Sequence, residues 1–211
     1  MGCEMNVEKN TKQRILEESL KLFSEKGYEG VSMREIAAAV GIKGASIYNH
    51  FKGKEDVFQG IFEEMTRRYD DMAAMLAIPT EKTTEAAIRF VGLGEQEMTQ
   101  LAKELFSFFA KDGFVVRFRR MLVAEQNRSP LASQTLKSYY FDAPIQYQVR
   151  LFAQMQESGA FAGYEAQTMA LHFYSPIYYL LGRYDLGQDF DSCIKELEQH
   201  IHWFIELYSK E

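Results

Sequence analysis

The stretch Val31-Ser32-Met33-Arg34-Glu35-Ile36-Ala37-Ala38-Ala39-Val40-Gly41 carries its own start and stop signals. Ser32 followed three residues later by Glu35 is a capping box, in which hydroxyl and carboxylate each satisfy an orphan backbone amide. Ile36, Ala37 and Val40 fall on one helical face, and Gly41 stands where a left-handed residue ends a helix. The chain then restarts with Ile42-Lys43-Gly44-Ala45-Ser46-Ile47-Tyr48-Asn49-His50-Phe51-Lys52-Gly53-Lys54-Glu55. Ile47 and Phe51 lie one turn apart on an apolar side. Lys43, Ser46, Asn49 and His50 fall toward the other side, with Tyr48 between. Gly44 and Ala45 leave the first turn small enough for close approach to a partner surface. A helix this short is marginal in water alone, so its neighbour must hold it. Helix, glycine-containing turn, helix is the helix-turn-helix unit, whose second helix enters the DNA major groove.

The formal charge of the 211 residues, −6, runs against a nucleic-acid partner. Its distribution does not: from Val31 to Lys54, Arg34, Lys43, Lys52 and Lys54 oppose Glu35, a local +3. A basic patch on an acidic chain suits a specific, reversible binder better than a general coat for nucleic acid. Cys3 and Cys193 are the only cysteines, a usage that fits reduced thiols. No apolar leader opens the sequence, and the most apolar run, around Phe173 to Gly182, is far short of the ~20 residues that span a bilayer. A cytoplasmic protein with no membrane partner is expected.

Four prolines in the whole chain argue for long uninterrupted elements. Apolar spacings of three and four predict helices over about 9–26, from Lys54 to before Pro79, over 84–110 and over 113–126. A helix after Pro130 is expected to be interrupted at Pro144, and another runs to Glu157. The last two are placed at about 164–184, kinked or locally opened at Pro176, and 190–208. Gly92 and Gly94 lie inside one of these patterns, where close helix packing would explain them. No strand alternation or repeat occurs, so the class is all-α.

From Thr11 to Phe58 the residues resemble the DNA-binding domain of TetR-family transcriptional regulators. The features that carry the resemblance are Phe23…Lys26-Gly27-Tyr28, Ser32-Met33-Arg34-Glu35-Ile36-Ala37, Gly41-Ile42-Lys43-Gly44, Ile47-Tyr48-Asn49-His50-Phe51 and Lys54-Glu55. The resemblance implies a three-helix helix-turn-helix DNA-binding domain at 1–53 and a larger helical ligand-binding and dimerisation domain at 54–211, connected by a helix over 54–78. It also implies a homodimeric regulator, a repressor released by a small-molecule effector, on palindromic operator DNA. DNA contacts then fall to Arg34, Lys43, Gly44, Ser46, Tyr48, Asn49, His50 and Lys54. Asn49 suits adenine and Arg34 suits guanine or phosphate, whereas Lys54, Tyr48 and His50 suit phosphates.

Aromatic residues crowd the C-terminal part. Phe106, Phe109, Phe118, Tyr140, Tyr147, Phe173, Tyr174 and Tyr178 are candidates for an effector cavity; a plain aromatic core is the alternative. Leu171, Tyr174, Tyr178 and Leu181 make one apolar face. Ile194, Leu197, Ile201, Phe204 and Tyr208 make another. These faces, with Leu171, Leu181, Leu197, Ile201 and Phe204 at their centre, are expected to form a four-helix dimer interface, unless both are internal. His200 and His202 lie two apart and face different sides, and no metal-ligand spacing or phosphate loop occurs. Neither a cofactor nor a catalytic site is expected. The competing reading is an all-α ligand-binding or enzymatic protein whose N-terminal unit binds another protein.

Overall fold

The computed structural model describes residues 2–78, 83–161 and 163–208, and every regular element among them is helical. Helix α1 (Gly2–Lys26) stops at Gly27, whose φ is +75°. Helix α2 (Met33–Val40) opens on the predicted capping box: Glu35 N–H donates to Ser32 Oγ at 3.3 Å, and Ser32 N–H to Glu35 Oε2 at 2.9 Å. Gly41 closes it in the left-handed region, and Ile42 N–H reaches back to Ala37 O at 2.9 Å. The Arg14 guanidinium also donates to Val40 O, so α1 helps to cap α2. The next helix is a single 3₁₀ turn, Ser46–Asn49, with Ser46 N–H on Lys43 O at 2.8 Å and His50 N–H on Ile47 O at 3.0 Å. Between two glycine-containing turns only a single i→i−4 bond closes, Phe51 N–H on Ile47 O at 3.1 Å, so the tighter helix forms.

Helix α3 (Lys54–Met75) follows. Pro79, expected to end it, lies outside the described residues; the helix stops earlier, and Arg89 Nη1 donates to Leu76 O at 2.9 Å. The periodicity over 84–110 divides into α4 (Thr83–Val91) and α5 (Glu95–Lys111). Gly92 and Gly94 are the break rather than a packing device. Gly94 is the N-cap of α5, and its N–H goes to Glu97 Oε2 at 2.9 Å. Glycine's backbone entropy makes it a poor helix interior and a serviceable cap.

Then come α6 (Gly113–Glu125), α7 (Pro130–Lys137), a π-helical turn (Ser138–Asp142), α8 (Ala143–Glu157), α9 (Ala166–Asp185) and α10 (Phe190–Tyr208). The interruption expected at Pro144 is that π turn. Pro144 has no N–H to give Tyr140 O, four residues back, and its ring would crowd that carbonyl. Ala143 N–H bonds Ser138 O instead, and Tyr140 O accepts the Tyr174 hydroxyl at 3.0 Å.

The chain forms two compact units: Met1–Asp70 with Gly113–Gln134, and Asp71–Asp112 with Thr135–Glu211. The unit that holds the helix-turn-helix is therefore larger than residues 1–53. An aromatic ladder accounts for this. Tyr28 packs between Phe23 and Phe58, at 5.2 and 4.9 Å, Phe58 meets Phe62 at 4.8 Å, and Phe62 meets Phe118 of α6 edge-on at 5.5 Å. Phe118, expected in a cavity wall beside Tyr140, is instead fully buried in this ladder. Glu125, at the end of α6 and 3% exposed, accepts the Tyr28 N–H at 3.3 Å.

Glu64 of α3 is buried in the same unit and takes bonds from Arg67 Nη2 (2.8 Å), Arg68 Nε (2.7 Å) and Gln13 Nε2 (2.9 Å). Burial pushes its carboxyl up, but the two guanidiniums and the amide together hold it below the ordinary glutamate value. A depressed folded value means that the contribution is complete above the unfolded value and is lost as pH falls through the folded one. Glu64→Gln is expected to cost about 1–3 kcal/mol at pH 7 and to flatten the acid limb of stability, read from urea midpoints between pH 7 and 4. An acid limb unchanged from that of the native chain would remove Glu64 from this role.

In the second unit one cluster joins Ala102, Phe106 and Ala110 of α5 to Leu180, Leu181, Cys193, Leu197 and Ile201 of α9 and α10. A second gathers Phe90, Phe152, Met155, Met169, Phe204 and Tyr208. The dimer-interface expectation is corrected here: Leu197 (0% exposed), Ile201 (1%), Leu181 (3%) and Phe204 (5%) face their own chain. Only Leu171 of that group is exposed; the outward apolar residues of α9 and α10 are Leu171, Tyr179, Trp203 and Leu207. Charge divides with the units. Fifteen basic and thirteen acidic residues give the first +2, and nine basic and seventeen acidic give the second −8.

Candidate nucleic-acid interface and ligand groove

Ile47 and Phe51 are buried and pin the 3₁₀ turn to the first unit, so its polar side is displayed in a fixed orientation. Arg34, Lys43, Gly44, Tyr48 and Asn49 are exposed, and Ser46 and His50 are half-exposed. Among the described residues the side chains of Arg34, Lys43, Tyr48, Asn49 and His50 make no hydrogen bond or ion pair. The carboxylate on α2 is spoken for: Glu35 pairs with Lys26 at 3.1 Å, and its bonds to Ser32, then Lys26, hold it below the usual range. The turn thus offers donors and acceptors on a local excess of positive charge, which is what phosphates and base edges require.

Lys54 differs from the rest of the predicted set. Its ammonium donates to Tyr28 O at 2.9 Å, sits 4.2 Å from the centre of the Tyr28 ring and lies 3.7 Å from Glu29. It already fastens the start of α3 to Tyr28. Burial, with Glu55 and then Glu29 nearby, pushes the Tyr28 hydroxyl up to about 12, so that ring stays a neutral phenol.

The aromatic residues proposed for a cavity separate into groups. Tyr140 packs on Phe109 at 6.3 Å and on Tyr178 at 6.1 Å, and Tyr174 stacks on Tyr178 at 6.4 Å. Phe173 joins Phe152 and Phe204, with Tyr147 packed against that cluster. Phe106 is buried against Phe190 at 6.0 Å. A groove of about 920 Å³ lies elsewhere in the second unit, and none of the eight residues lines it. Met72, Met75 and Leu76 from the end of α3 face Phe108 of α5 and Phe190 and Ile194 of α10. Gln100, Lys103, Glu104, Ser107 and Asp191 supply the polar groups. The signal for it is legible in retrospect: Met72, Met75 and Leu76 repeat at three and four, as do Gln100, Glu104 and Phe108. Among the described residues no three His, Cys, Asp or Glu side chains gather as a metal site, and no helix is long and apolar enough to cross a membrane.

The family pattern described as bacterial regulatory proteins of the tetR family matches residues 15–61, the span from the buried face of α1 to the middle of α3. IcaR of Staphylococcus epidermidis, a negative transcriptional regulator of the biofilm operon icaADBC, is 37% identical over 60 residues, 28% of this chain and 32% of that protein. The matches span about a quarter to a third of the length of the curated relatives. The fold likeness extends much further. A crystal structure assigned to the TetR-family regulators, from Mesorhizobium loti, aligns with TM-score 0.70 at 18% identity over 96% of this chain and 98% of that one. The SmeT–triclosan complex aligns with TM-score 0.67 at 15% identity over 96% and 93%. Residues 15–61 thus carry the helix-turn-helix pattern of the tetR-family regulators, and the chain as a whole has the fold of the solved TetR-family structures.

Proposed function

We propose that the protein is a cytoplasmic transcriptional repressor that binds a palindromic operator as a homodimer and is released by a small molecule. The observation that carries this reading is the pinned 3₁₀ turn, with Arg34, Lys43, Tyr48 and Asn49 exposed, His50 half-exposed, and all five side chains unengaged among the described residues. Asn49 serves adenine, Arg34 guanine or phosphate, and Lys43, Tyr48 and His50 phosphates. Repression is supported by the likeness of the N-terminal segment to the negative regulator IcaR. Effector release is supported by the fold likeness to SmeT, crystallised with triclosan. One short turn reads few base pairs, so two-fold repetition is needed. The outward residues Leu171, Tyr179, Trp203 and Leu207 offer the apolar surface for it. Selection from a random duplex pool at moderate salt tests the whole reading; recovery of a two-fold site is expected, and no enrichment would sink it. Within that site Asn49→Ala should cost ~1–3 kcal/mol at one base position, while Lys43→Ala should weaken all sequences alike and reduce the salt slope by about 0.9.

A further inference from the structure

We propose that the groove of the second unit binds an amphipathic cation, an ammonium head on an aliphatic body. Its volume, about 920 Å³, matches small-molecule sites, which run from roughly 300 to 1,000 Å³. Gln100, Glu104 and Phe108 lie at steps of four on α5, so its wall extends about 12 Å at ~1.5 Å per residue. Met72, Leu76, Phe108 and Ile194 give that length an apolar lining, and methionine adapts to the shape it meets.

Charge selects the head group. Lys103 is the groove's basic side chain, and Glu198 neutralises it at 2.7 Å. Glu104 and Asp191 have no ion pair among the described residues; Glu104 accepts only the Gln100 amide, at 2.8 Å. Phe190, next to Asp191, already holds the ammonium of Lys111 at 3.4 Å from its ring centre, so that face of the ring is taken and the head group is left to Glu104 and Asp191. A carboxylate ligand would face Glu104 and Asp191 within a unit of formal charge −8, whereas an ammonium would complete them. A neutral chain would fill the lining and leave both carboxylates unpaired.

The binding claim stands on the groove alone; that filling it alters operator affinity rests on the proposed function. Decyltrimethylammonium and chain-matched decanoate, each below its micelle threshold, are titrated calorimetrically into the full-length protein. One cation per chain is expected, bound at least tenfold tighter than decanoate. The double variant Glu104→Gln, Asp191→Asn changes exposed carboxylates to amides of the same shape and should lose at least tenfold for the cation without weakening decanoate. Ser107→Trp should fill the groove and abolish binding while circular dichroism stays unchanged. Absence of saturable cation binding, equal affinity for the two chains, or full affinity in the double variant or in Ser107→Trp overturns the proposal. A protein that binds the cation in this pattern yet enriches no duplex upholds the groove and overturns the repressor.

Discussion

Leu197→Ala is expected to destabilise the protein by about 3 kcal/mol, inside the 2–5 kcal/mol typical of buried leucines. Leu197 has no exposed surface and sits among Phe106, Leu181, Cys193 and Ile201, so truncation removes apolar burial and leaves a cavity. Placing glutamates at both Leu197 and Ile201 should unfold the second unit outright, because two unpaired charges would be buried. Trp203 lies on the same helix and is 65% exposed. Trp203→Ala should leave the folding free energy of a subunit within about 0.5 kcal/mol, with any further loss depending on protein concentration, as expected of a residue that acts through association. Urea unfolding at two concentrations, with light scattering, separates the two. A cost below 1 kcal/mol for Leu197→Ala would return that face to the outside.

Gly27→Ala should cost about 2–5 kcal/mol for a single added methyl. Two effects combine. At φ +75° a Cβ is strained by roughly 1–2 kcal/mol. The new carbon would also lie 2.8 Å from Glu125 Oε1, too close for a real contact. Glu125 is 3% exposed and holds the Tyr28 N–H, so retreat leaves buried polar groups poorly paired, at a further ~1–3 kcal/mol. A double-mutant cycle with Glu125→Ala tests this division: at least 1 kcal/mol of the Gly27→Ala cost should disappear once the carboxylate is gone. Strict additivity would mean that the backbone strain acts alone.

Local chemistry was legible, and choices among apolar surfaces were not. Ser32, Glu35 and Gly41 mark the ends of α2 because caps are decided within four residues. Ile36, Ala37, Val40, Ile47 and Phe51 are buried as their spacing implies. The span 190–208 holds as α10 because its apolar residues repeat without a break. The same repeat does not say which of two apolar stripes turns outward, so it suits Leu197, Ile201 and Phe204 equally to an interface and to the core that buries them. Phe118 falls among the C-terminal aromatics in sequence, but sequence distance is silent on which ring meets which, and its partner Phe62 lies far upstream. Lys54 reads as a free cation in sequence; the Tyr28 carbonyl that occupies it appears only when the two turns are folded together. The groove is assembled from three separated segments, at 72–76, 100–108 and 190–194, so no one of their patterns displays it.

The uneven charge of the two units has a consequence for search. Random DNA attracts a protein in proportion to the phosphates that the protein neutralises, and neither a unit at +2 nor one at −8 carries a large excess of positive charge for that. On the proposed function, such a protein would spend little of its time on the bulk of a genome. The free pool stays large, and occupancy of one correct site depends on base contacts, not on coating. For a regulator present in few copies this weak general affinity is an advantage, because every non-specific site competes with the operator for the same molecules.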